Sequence, residues 1–83
     1  MVERGVGLVF LHNRETPISL VTELLESTFG YTRSRAMRTA VTIDAHGESV
    51  VAVVEKTQAD DIVASILSRV REVGYPFECR VSA

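Results

Sequence analysis

The apolar residues of this chain recur at two spacings, and the switches between them mark out six elements. "GLVFLH", residues 7–12, is apolar on both faces, the pattern of a strand interior to a sheet. A polar corner follows, from His12 to Thr16, and Pro17 then opens a helix. The Thr16 hydroxyl is placed to accept from first-turn amides, and proline at the first helical position lacks only a donor that would be orphaned anyway. Ile18, Val21, Leu24, Leu25 and Phe29 recur at helical spacing, and Gly30 supplies the stop.

Thr32 is positioned to cap a second helix whose apolar side is Ala36, Met37, Ala40, Val41 and Ile43. "DAHGE" ends it, with Gly47 free to take a positive φ. "SVVAVVEK", residues 49–56, is again apolar on both faces and predicts a second interior strand. Thr57 precedes Asp60 by three, a capping-box spacing with aspartate in the acidic place. Ile62, Val63, Ile66, Val70 and Val73 then form the stripe of a third helix that stops at Gly74. "FECRVSA" alternates strictly, with Phe77, Cys79 and Val81 on one face and Glu78, Arg80 and Ser82 on the other. The pattern predicts an α+β fold of order β-α-α-β-α-β, a three-stranded antiparallel sheet packed against three helices.

Eighty-three residues, 46% of them hydrophobic, suffice for one core, so a single domain over residues 1–83 is expected. A chain of this size buries roughly 60% of its unfolded surface, which leaves a modest margin of stability. Nine basic against eleven acidic residues give a net charge of −2, which argues against nucleic acid or an anionic membrane as the partner. Arg33, Arg35 and Arg38 have the wrong sign for the start of a helix and are expected on a solvated outer face. The lone Cys79 has no intramolecular partner for a disulfide and falls on the apolar side of its strand. The apolar run near the N-terminus is too short for a signal peptide, and no segment reaches the ~18 apolar residues of a spanning helix. A cytoplasmic protein is expected.

Candidate chemistry is sparse. No serine, cysteine or threonine stands beside a plausible base, and His12 and His46 lie far apart in sequence. His12, Asp44 and His46 lack a metal-ligand spacing, and Gly5 and Gly7 form only a lone GxG. The expectation is therefore a non-enzymatic protein without metal or cofactor. Recognition remains: two polar corners, "HNRETP" and "IDAHG", each flanked by apolar residues, would suit a ligand with a charged head and an apolar side chain.

The stretch "LHNRETPISLVTELLESTFGYTRSRAMRTAVTIDAHGESVVAVV" with "YPFECRV" resembles the ClpS family, adaptors that hand N-degron substrates to a Clp protease. The resemblance runs from about Leu8 to Val81, and "LHN…TP" before an apolar helix is its most specific piece. It implies a binder of the free α-amino group and bulky hydrophobic first residue (Leu, Phe, Tyr or Trp) of a peptide. It also implies delivery to the N-domain of a Clp AAA+ unfoldase of ClpA or ClpC type. Asn13 corresponds to the family's amine-binding asparagine; Asp44 stands where a second amine contact is usually histidine. Arg14 and Glu15 replace the usual acidic residues in a loop one residue shorter, and Thr16 matches a threonine that bonds the peptide backbone. Ile18, Val21, Ala40, Ile43 and Phe77 would line the side-chain pocket, with Ile18 and Ala40 in place of methionine and Phe77 in place of leucine. Thr57 and Ile62 stand where charged residues usually dock the unfoldase. The family's flexible N-terminal tail is expected to be missing or trimmed. The alternative is a ClpS-fold protein–protein docking domain that does not bind N-terminal residues.

Overall fold

The double-sided apolar strand near the start of the chain is the centre of the sheet. A computed structural model describes residues 5–82, so the segment that would carry an N-terminal tail, residues 1–4, lies outside the described residues. Along the chain run β1 (Gly5–Leu11), α1 (Ile18–Phe29), α2 (Arg33–His46), β2 (Glu48–Glu55), α3 (Lys56–Val73) and β3 (Glu78–Ser82). The strands pair antiparallel in the order β2-β1-β3, and the expected element order holds throughout.

Strand alternation sends Val6, Leu8 and Phe10 of β1 and Cys79 of β3 into one core with Leu24 and Leu25 of α1. Ala36, Ala40 and Ile43 of α2, Ala59, Ile66 and Val70 of α3, and Val21, Val51 and Phe77 complete it. Burial pushes the Cys79 thiol up to about 11, which keeps it protonated and unreactive at neutral pH. Among the described residues, no helix is long and apolar enough to cross a membrane.

β2 corrects one expectation: it is an edge strand, and Val50 and Val53 point out of the sheet, Val53 being 71% exposed. Its second apolar row lies over Gly5 and Gly7 of β1. A Cβ at Gly5 would come within 2.6 Å of Val53 and one at Gly7 within 3.2 Å of Val50. The GxG pair thus makes room for cross-strand valines. A bulge in the pairing after Leu8 leaves Val51 opposite no residue of β1; its side chain enters the core and its carbonyl accepts from the Tyr31 hydroxyl. Arg35 stacks on the Tyr31 ring at 4.0 Å and Arg33 reaches Glu26 at 3.5 Å, so two of the three early arginines of α2 have partners within the fold.

The helix starts match the sequence reading once in three. Thr32 caps α2, its hydroxyl accepting from Arg35 N–H at 3.2 Å. α1 instead has Pro17 at its cap and no side-chain cap bond, because Thr16 lies one residue too early. α3 follows directly on β2 and begins at Lys56, which places Thr57 inside the first turn and removes the expected capping box. Thr32→Ala should therefore cost about 1 kcal/mol of stability in urea unfolding. Thr57→Ala should be neutral or slightly stabilising, since alanine is the better helix former and no cap is lost.

Four stripe positions also differ from expectation. Val73 is 55% exposed in the last turn of α3, and Ile18 is 49% exposed in the first turn of α1. Met37 and Val41, expected on the apolar side of α2, are 51% and 57% exposed, so the buried side of that helix narrows to Ala36, Ala40 and Ile43.

Candidate functional site

The end of β1 and the end of α2 meet at one corner of the molecule. Gly47, at φ 88° in the left-handed region, turns the chain out of α2 while its N–H bonds the Ile43 carbonyl at 2.8 Å. Its own carbonyl accepts from His12 N–H at 2.8 Å, which ties the second polar corner to the first. Side chains repeat the tie: His12 Nδ1 lies 3.3 Å from an Asp44 carboxylate oxygen.

Between them the loop of residues 12–17 folds on Asn13. The Asn13 Oδ1 accepts from Glu15 N–H at 2.8 Å, and the Asn13 carbonyl accepts from Thr16 N–H at 3.1 Å, an asparagine-led turn. The Asn13 Nδ2 donates to the Pro76 carbonyl at 2.6 Å, which fastens the loop to the chain entering β3. One lone pair on Oδ1 remains for another donor.

These corners border a cavity of about 390 Å³. Asn13, Arg14, Thr16 and Asp44 form its polar side. Ile18 and Val21 from α1, Ala40 and Ile43 from α2, and Phe77 before β3 form its apolar wall. Phe77 is held there edge-on against Phe10, ring centroids 4.9 Å apart. Nine of the ten residues selected from the sequence therefore share one cavity. Glu15 does not line it; its backbone N–H closes the Asn13 turn. His12, which sequence reasoning placed in the corner and not in the site, lines it too, as do Leu11 and Pro17.

Thr16 is the site's chemical oddity. It is only 8% exposed, and its hydroxyl is buried with no hydrogen-bond partner among the described residues. A buried, unmatched hydroxyl costs about 1–3 kcal/mol, so a polar partner arriving in the cavity would relieve it. A second hollow of similar volume opens between α1 and α2, but there Glu26 pairs with Arg33 and the Thr22 hydroxyl already donates to the Ile18 carbonyl at 2.9 Å.

A three-stranded sheet under three helices, with a polar-and-apolar cavity at the joint of β1 and α2, defines a small α+β ligand-pocket domain. The sequence matches the family described as ATP-dependent Clp protease adaptor protein ClpS over residues 8–80, and the chain belongs to that family. Its fold is similar to that of Agrobacterium tumefaciens ClpS2 bound to L-phenylalaninamide. The TM-score is 0.86 and the identity 23%, covering 98% of this chain and 100% of that one. No curated protein sequence matches.

Proposed function

We propose that this domain is a non-enzymatic adaptor that binds the free α-amino group and bulky hydrophobic first side chain of N-degron peptides. Delivery would be to the N-domain of a Clp ATPase of ClpA or ClpC type. The supporting observation is the joint placement of Asn13, Asp44 and the unpartnered Thr16 hydroxyl on the polar side of a cavity whose other side is apolar. An ammonium brings three donors and needs acceptors when it leaves water. Asn13 Oδ1 supplies one, and the Asp44 carboxylate supplies one that also carries charge. Thr16 would bond the peptide backbone, while Ile18, Val21, Ala40, Ile43 and Phe77 would surround the first side chain. The volume of about 390 Å³ falls in the usual range for small-ligand sites. The ligand of the similar ClpS2, a phenylalanine amide, has this same combination of a free amine beside a benzyl group.

The test is calorimetric titration with short peptides that differ only in their first residue, each with a free and an acetylated N-terminus. A charge-assisted hydrogen bond is worth roughly 1.5–3 kcal/mol, so acetylation should weaken binding by at least about tenfold. Affinity should also fall above about pH 8, where a peptide α-amine loses its proton. Equal affinity for free and blocked peptides would leave the docking-domain alternative in its place.

A further inference from the structure

The site's carboxylate does not stand alone. Asp44 sits near the end of α2, its side chain more than half exposed, and among the described residues its carboxylate's ionic contact is the one across to His12. His12 is anchored on the opposite side by its backbone bond to Gly47, and its side chain, about one-third exposed, lies at the rim of the cavity. We infer that His12 is a positioning residue for the peptide amine: its ring Nδ1 holds the Asp44 carboxylate at the cavity rim, and its protonation sets the acid limit of binding. The inference rests on the amine-binding reading above and adds to it a residue and a regulation.

The physical argument turns on charge. A neutral imidazole with Nδ1 3.3 Å from the carboxylate gives it a polar neighbour and leaves the negative charge to the incoming ammonium. A protonated imidazole holds the same carboxylate and also places a positive charge beside the ammonium. Arg14, lining the same cavity, already contributes one cation there. Linkage makes the effect reciprocal: a bound ammonium must drive the proton off His12 to the same extent that the proton drives off the ammonium.

The other charged groups around this corner are Glu15 on the loop, His46 beyond Asp44 on α2, Glu48 opening β2 and Glu78 opening β3. Glu48 and Glu78 are the pairing partners of Leu11, and Glu48 is engaged by Arg80 at 3.0 Å. The window from about pH 5.5 to 7.5 lies above the ordinary carboxylate range. His46 is outside the cavity lining and serves as the control.

The experiment is fluorescence anisotropy of a Phe-initiated peptide, labelled at its far end, across that window. Wild type is expected to bind about threefold more weakly at the acid end. In H12N the side-chain amide takes the place of Nδ1 but cannot titrate. It should bind within about twofold of wild type at pH 7.5 and show no acid decline, whereas H12A should be about three- to tenfold weaker at pH 7.5. H46N should keep the wild-type profile. In NMR, the His12 ring should give up its proton at lower pH when peptide is bound.

An acid decline that survives in H12N, or H12A binding as tightly as wild type, would overturn the inference while leaving the amine-binding reading intact. Failure of that reading has a different signature: wild type would then bind free and acetylated peptides alike, and both proposals would fall together.

Discussion

Asn13→Ala is expected to weaken binding of a Phe-initiated peptide by about a hundredfold, with only a minor loss of fold stability. The side chain makes two bonds that shape the loop, Oδ1 from Glu15 N–H at 2.8 Å and Nδ2 to the Pro76 carbonyl at 2.6 Å. In the proposed complex it makes a third, to the ammonium. The two loop bonds are present in the free and the bound protein alike, so the affinity loss comes from the charge-assisted bond to the ammonium, worth roughly 1.5–3 kcal/mol or up to about two orders of magnitude, with any loosening of the loop in the variant adding to it. Stability suffers less, because the loop is exposed and water can take over its polar groups.

Asn13→Asp separates the roles. Aspartate keeps an acceptor for Glu15 N–H and for the ammonium, but it turns an oxygen toward the Pro76 carbonyl where Nδ2 had donated. A loop loosened from Pro76 with its acceptor intact should bind between the alanine variant and wild type. Titration of all three proteins, with thermal melts to check folding, measures both effects. Wild-type affinity in Asn13→Ala would remove Asn13 from the site.

Much of the fold could be read from spacing because each element carries its own local signal. Gly30, Gly47 and Gly74 each terminate a helix at positive φ, where the sequence reading placed the stops. β1 read as interior because it is. β2 carried the same two-sided apolar pattern and turned out to be an edge strand. The pattern reports which faces of a strand are apolar and says nothing about how many neighbours flank it. Gly5 and Gly7, whose missing side chains let Val50 and Val53 settle against β1, were the available hint.

The misread caps have a similar cause. Thr16 and Thr57 stand at plausible distances from apolar runs, but a cap depends on the residue at which the chain leaves extended geometry. Pro17 and Glu55 hold that place.

The two polar corners could be seen in the sequence, and the five apolar residues, which the family resemblance and not their spacing implied, share one cavity with Asn13 and Asp44. What joins the corners could not be seen there. Asn13 reaches Pro76 across 63 positions, and His12 meets Asp44 across the junction of a strand and a helix. No periodicity encodes such contacts. The two polar corners were visible one at a time, and their pairing appears only when β1 lies beside β2 and brings Gly47 to His12.

Phe10→Ala carries the largest expected effect on stability, about 3–5 kcal/mol lost. Phe10 has no exposed surface, sits on the central strand and packs its ring against Phe77 at 4.9 Å and Phe29 at 6.1 Å. Truncation removes the burial of a full aromatic ring and leaves a void bounded by β1, α1 and the Phe77 segment, none of which can collapse without breaking the sheet register. A domain of this length has a total stability of only about 4–12 kcal/mol, so the variant should melt roughly 15–30 °C below wild type. Phe10→Leu, which refills most of the volume, should lose less than half as much. The cavity should feel the change before the fold gives way. Phe77 owes its place on the apolar wall to the Phe10 ring, so Phe10→Leu should stay folded at 25 °C yet bind a Phe-initiated peptide several-fold more weakly. Unchanged affinity alongside a lowered melting temperature would show that the wall holds its shape without that aromatic contact.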